Sequence, residues 1–185
     1  MTLYSLVLFL HVASALALAA GLTVDALVLF QLRTGPPNAT QPWLKLWSAV
    51  PQIAGTSGLL LLFSGGYLTH RMSAWSLAWP KVALAALILL GILGGITGRR
   101  ISTLRRVCAT GVGGEAECVK RLDDPMLTVS LYTRIALLFA AVLLMNAKPD
   151  LWQSLSVIGG AVVLGLVVAF ILPGREPRIR MPAAN

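Results

Sequence analysis

The sequence predicts an all-α fold: a polytopic membrane protein, a five-transmembrane-helix bundle with the N-terminus outside and the C-terminus cytoplasmic. Three observations predict it. Hydrophobic residues make up 57% of the 185 and charged residues 12%, where a soluble domain carries about 25% charged. Five stretches reach the roughly 20 apolar residues that a membrane-crossing helix needs. Lys and Arg then divide twelve to one side and three to the other, the asymmetry that sets orientation.

The first helix is expected over residues 3–32. Its "ALALAAG" imitates a signal-peptide cleavage site, but no Lys or Arg precedes the apolar run. A secretory signal needs that basic flank, so the segment reads as a retained helix. The loop "RTGPPNATQP" and a Trp-containing interfacial piece lead to the second helix, 51–70, with Pro51 suited to a first turn. The turn "RMSAWSLAW" precedes the third helix, 80–98. A long basic connection, 99–125, leads to the fourth helix, 126–147. "KPD" turns the chain sharply into the fifth helix, 151–172. Residues 1–172 form one transmembrane domain and 173–185 a basic cytoplasmic tail without apolar periodicity.

In this topology Arg71, Lys81 and Lys148 lie outside and the other twelve basic residues lie inside. Trp75, Trp79 and Trp152 fall at the outer interface and Trp43 and Trp47 at the inner one, as an aromatic belt. Gly91/Gly95, Gly94/Gly98 and Ala161/Gly165 repeat small residues at a spacing of four. That spacing lets helix backbones approach inside one bundle.

Ionisable groups in hydrocarbon are costly and face the bundle interior. On the first helix His11, Ser14, Leu18, Gly21 and Asp25 fall within an arc of roughly 80° at 100° per residue. This polar, small-residue stripe is expected to face the other helices. Asp25 and Arg134 each lie about eight residues, roughly 12 Å, from the same membrane side. Equal depth makes them a candidate structural ion pair, with a proton-relay or transport role as the alternative. Toward the other side, His70 ends the second helix on a face with Gln52, Thr56, Phe63 and Gly66, and Lys81 begins the third. A neutral imidazole ligates haem iron or a transition metal. His11 and His70 are therefore candidate metal ligands, and His11, His70 and Lys81 candidate cofactor-binding residues. A height difference of about 10 Å between the two histidines opposes a bis-histidine pair.

The stretches "FLHVASALALAAGL", "GTSGLLLLFSGGYLT", "WSLAWPKVALAALILLGILGGITGRR" and "LLMNAKPD" resemble a family of uncharacterised bacterial integral membrane proteins. That family looks related to the copper-resistance D proteins and the J-type protoporphyrinogen oxidase. His11, Gly21, Lys81 and Arg99 match its short motifs. The resemblance implies a site at His11 and Lys81 holding haem b or a copper ion, in a bacterial cytoplasmic (inner) membrane. The chain departs from the copper-handling pattern, because Met72 is the one methionine near the outer turn after the second helix.

No P-loop, HExxH or Gly-x-Ser-x-Gly motif occurs. "GVGGEAEC" has glycines without the strand and helix that a nucleotide site requires. "RRISTLRR" suits anionic lipid headgroups, and nucleic acid is excluded as a partner because that surface lies against the bilayer. Cys108 and Cys118 are too few for a disulfide framework and too far apart for a zinc site. An inner location predicts free thiols. The "NAT" at Asn38 falls on the inner side, where it is no glycosylation acceptor. Three roles stay open: a haem or metal site at His11 serving redox chemistry or metal handling, a non-catalytic scaffold or accessory subunit of another membrane protein, and a small ion-coupled transporter.

Overall fold

The computed structural model describes residues 2–35, 40–110, 122 and 124–171. In order these form α1 (Leu3–Thr34), α2 (Thr40–Trp47), α3 (Val50–Arg71), a 3-10 turn (Ala74–Ser76), α4 (Ala78–Thr110), α5 (Pro125–Ala147) and α6 (Leu151–Ile171). No strand occurs among the described residues. Among the described residues five helical spans are long and apolar enough to cross a membrane, the short α2 leading into α3 within one of them. In lipid every backbone polar group must be satisfied within the segment, which a continuous helix does.

The helix ends follow local chemistry. Thr2 caps α1, its hydroxyl accepting from the Ser5 N–H. Asp124 caps α5 by accepting from the Met126 N–H at 3.0 Å, and Pro125 takes the first position, where a missing N–H does no harm. Lys148 closes α5 in the left-handed region at φ 49, with its N–H on Leu144 O. Pro149 follows and cannot extend the helix.

The helices pack in the sequence α1, α3, α4, α5, α6, and α5 also reaches back to α1. Leu137 and Leu144 of α5 are wholly buried, whereas Phe9, Phe63, Phe139 and Phe170 are each at least 70% exposed. Large apolar side chains on the outside and polar ones inside make a surface suited to a hydrocarbon solvent; in water it would be an aggregation liability. The first-helix stripe turns inward: Ser14, Leu18, Gly21 and Asp25 are buried and His11 is half-buried.

Several expectations need correction. The third helix does not end at 98; α4 runs twelve residues further, to Thr110. Ile101 and Leu104, one turn apart, are buried against Trp47, Leu122 and Leu127, so residues 99–110, the first part of the basic segment, continue the helix and bury an apolar edge. Trp47 is 2% exposed and belongs to the core, not to an interfacial belt. Gly91 and Gly95 point outward with no atom near a would-be Cβ. Of the expected pairs, Ala161/Gly165 does pack closely: both are buried, and a Cβ on Gly165 would stand 2.6 Å from Thr133 Cα. The α3 face of Gln52, Thr56, Phe63 and His70 is the exposed one, and the buried face is Ser57, Leu61, Ser64 and Leu68. The tail 173–185, Asn38 and Cys118 lie outside the described residues, as does the Cys108 side chain.

Candidate functional site

Two polar centres sit inside the bundle. The first joins α1, α2 and α5. Arg134 Nη1 lies 3.1 Å from Asp25 Oδ2, and Trp47 Nε1 donates to Asp25 Oδ1 at 2.8 Å. Arg134 Nε also donates to Ser130 O at 3.3 Å. Asp25 and Arg134 are each 5% exposed. Both carboxylate oxygens are engaged, so neither charge is left alone in a medium where one costs about 2.5–3.5 kcal/mol. Nearby, Arg33 donates from Nε and Nη2 to Leu122 O and from Nη1 to Thr128 Oγ1 at 2.8 Å. Thr97 and Ser130 share a hydrogen bond of 2.6 Å between α4 and α5. Chemically this centre holds helices together. Asp25, Trp47 and Arg134 do not line the cleft described next.

Trp47 completes that centre, and sequence reasoning missed it. Trp47→Phe keeps the ring and removes the N–H. It is expected to lower thermal stability in detergent by the equivalent of about 1–2 kcal/mol, read as a fall in melting temperature. An unchanged melting curve would show that the hydrogen bond contributes nothing.

The second centre is a cleft of about 180 Å³ between α1, α3, α4 and α5. Its walls are aliphatic, among them Ala15, Leu61, Leu87, Leu90 and Leu137. Val142 and Met145, both exposed, also line it, so the cleft reaches the bundle surface. Four side chains with N–H or O–H groups are among the lining residues: His11, Thr69, Trp75 and Trp79.

The hydrogen bonds around His11 define its tautomer. Ser64 uses its single hydroxyl proton on Leu60 O. The 2.9 Å contact between His11 Nδ1 and Ser64 Oγ therefore has the imidazole N–H donating and the serine oxygen accepting. In the neutral ring Nε2 then carries the lone pair, with no protein hydrogen-bond partner. An acceptor that fixes one ring nitrogen as the N–H leaves the other free to accept a hydrogen bond. Gly65 makes room for it: a Cβ there would lie 3.2 Å from His11 Cε1. Thr69 donates its proton to Gly65 O, so its oxygen too presents only lone pairs. Trp79 Nε1 is buried and has no hydrogen-bond partner, a condition that costs about 1–3 kcal/mol.

The other expected site residues are elsewhere. His70 and Lys81 are exposed, and neither lines the cleft. The haem implied by the resemblance needs a slot, an axial ligand and cations for its propionates. His11 Nε2 suits the ligand role alone. No Arg or Lys lines the cleft, and its volume lies below the roughly 300–1,000 Å³ of drug-sized pockets. The lining does not fit a tetrapyrrole. A copper ion would meet one imidazole and the thioether of Met145 around the cleft. No group of three or more His, Cys, Asp or Glu placed to hold a metal occurs among the described residues.

No family model matches this chain, and neither a curated protein nor a solved structure does.

Proposed function

We propose that this membrane protein is a binding protein rather than a redox or metal-handling one: its His11 cleft takes a small lipid-soluble ligand. The observation that carries this reading is the cleft itself. It is apolar, reaches the lipid-facing surface, and holds one imidazole oriented from behind by Ser64. Apolar walls with a few convergent polar groups are the general form of a small-molecule site. The Asp25–Arg134–Trp47 centre has the structural role of fixing α1 to α5, two of the helices that line the cleft. Its engagement on both carboxylate oxygens supports a clasp over an ion-coupling carrier. The twelve-to-three basic asymmetry supports an N-outside orientation in a bacterial cytoplasmic membrane. The cleft then lies in the outer half of the bilayer.

Gly66 lines the cleft, and a Cβ there meets nothing within 4 Å. Gly66→Leu therefore fills the space without a backbone clash. Small molecules extracted from purified wild type and Gly66→Leu are compared by mass spectrometry. At least one lipid-soluble species is expected to fall by about tenfold, the equivalent of 1.4 kcal/mol of binding. Identical extracts would overturn the reading.

A further inference from the structure

Where the apolar run of α4 ends, a pair of arginines begins. We infer that Arg99 and Arg100, in a pocket between α4 and the start of α5, bind the phosphate of an anionic phospholipid of the phosphatidylglycerol kind. This pocket shares no lining residue with the His11 cleft, so the two sites stand or fall separately.

The pocket has a volume of about 260 Å³ and is lined by Arg99, Arg100, Thr103, Leu104, Asp124 and Leu127. Its charges do not cancel. Arg100 Nη1 donates to Asp124 Oδ2 at 2.5 Å, and the Met126 N–H donates to Asp124 Oδ1 at 3.0 Å. One acid thus answers one arginine. The Arg99 guanidinium has neither a hydrogen bond nor an ion pair among the described residues, so a single positive charge is left over. Thr103 donates its proton to Arg99 O at 3.1 Å, which leaves the guanidinium groups as the side-chain donors of the lining. A phosphodiester brings one negative charge and two unesterified oxygens, which a guanidinium fork matches. A choline or ethanolamine head adds a cation, and the acid of the pocket is already held by Arg100.

The location selects a lipid over a phosphate from water. Ile92, Gly95, Ile96, Arg99 and Thr103 are all exposed, and at 100° per residue they fall within an arc of about 100°. Arg99 therefore stands at the foot of an apolar strip that runs up the same face of α4. Gly95 is a low point in that strip, since a Cβ there would meet nothing within 4 Å. An acyl chain can lie along it while its phosphate stays at Arg99. The basic asymmetry places this end of α4 on the inner side, where anionic headgroups are concentrated and one nearby arginine is worth a measurable attraction.

The test titrates the full-length protein in detergent with dioleoylphosphatidylglycerol or dioleoylphosphatidylcholine and reads the first bound lipid by native mass spectrometry. Wild type is expected to hold the phosphatidylglycerol about fivefold more tightly, the equivalent of about 1 kcal/mol. Arg99→Gln should bring that ratio to about one; Arg99 is exposed and unpaired, so the fold does not depend on it. Lys45→Gln removes an exposed cation on the same membrane side but outside the pocket and should leave the ratio as in wild type. A third arm offers sn-glycerol 3-phosphate, which carries the phosphate without acyl chains and should give no adduct at the lipid concentrations used. Equal binding of the two lipids by wild type would overturn the site. A preference that survives Arg99→Gln, or that falls equally in Lys45→Gln, would overturn it too, since a diffuse surface charge accounts for both. A glycerol phosphate adduct as abundant as the lipid's, and lost in Arg99→Gln, would give the pocket to water-soluble phosphates and overturn the lipid reading.

Discussion

Arg134→Met is expected to destabilise the bundle by about 3–5 kcal/mol, the loss seen when one partner of a buried ion pair is removed. The reason is what remains. Asp25 is 5% exposed, and without Arg134 its Oδ2 loses its cation while Oδ1 keeps only the Trp47 N–H. Asp25→Asn leaves the converse problem, a buried guanidinium with no counter-charge. The double substitution Asp25→Asn, Arg134→Met removes both charges, keeps an oxygen for Trp47 and retains most of the side-chain volume. It should recover most of the loss, because replacing a whole buried pair by uncharged groups is often close to neutral. Thermal denaturation of the four proteins in one detergent gives the coupling energy directly. Strict additivity of the two single losses would show that the pair does not act as a unit.

The second large effect lies at the α5–α6 contact. A Cβ on Gly165 would stand 2.6 Å from Thr133 Cα and 2.9 Å from Thr133 N. These are backbone atoms, so no rotamer change relieves the clash and the helices must separate. Gly165→Ala is expected to cost about 1–3 kcal/mol, and Gly165→Leu more. The control is Gly159→Ala on the same helix, where a Cβ meets nothing within 4 Å. There the better helix former leaves the melting temperature unchanged or raised. If Gly165→Ala and Gly159→Ala melt alike, the close approach of α5 and α6 is not what holds α6 in place. Packing rather than solvent exclusion drives helix association in lipid, so a contact between small residues has this weight.

These two sites differ in how far the sequence announced them. The Asp25–Arg134 juxtaposition follows from equal depth on two helices and the expense of a charge in hydrocarbon, both readable from spacing. Gly165 follows a small-xxx-small pattern, yet Gly91 and Gly95 carry the same pattern and face outward. Spacing says that a face can pack closely; it does not say which face finds a neighbour. Trp47 was hidden for another reason. A tryptophan beside a Pro-rich loop fits an interfacial belt, and only the fold of α2 against α1 brings its indole to Asp25. The length of α4 was hidden by charge. Arg99 and Arg100 end the apolar run but not the helix, since arginine is a good helix former. Ile101 and Leu104, three apart and both buried, were the available signal.

The cleft was the least legible feature. His11 stands out in an apolar helix, but its working partner Ser64 is an unremarked serine on α3. The choice of α3 face decides everything there. The sequence reading grouped His70 with Phe63, and Phe63 is 71% exposed. One residue, about 100° of rotation, separates the lipid-facing Thr56 and Phe63 from the buried Ser57 and Ser64, and composition alone is too uniform along α3 to fix it. Trp79 likewise reads as a boundary residue until α3 and α4 are placed around it.

The three-part centre at Asp25 also has a consequence for biosynthesis. Chains are made from the N-terminus, and Arg134 is added about 110 residues after Asp25. At roughly 5–20 residues per second, the acid waits several seconds or more for its cation. Trp47 comes only 22 residues after it. The indole is thus the first partner on hand as the nascent chain leaves the ribosome, an interim escort for the carboxylate until the penultimate span is made.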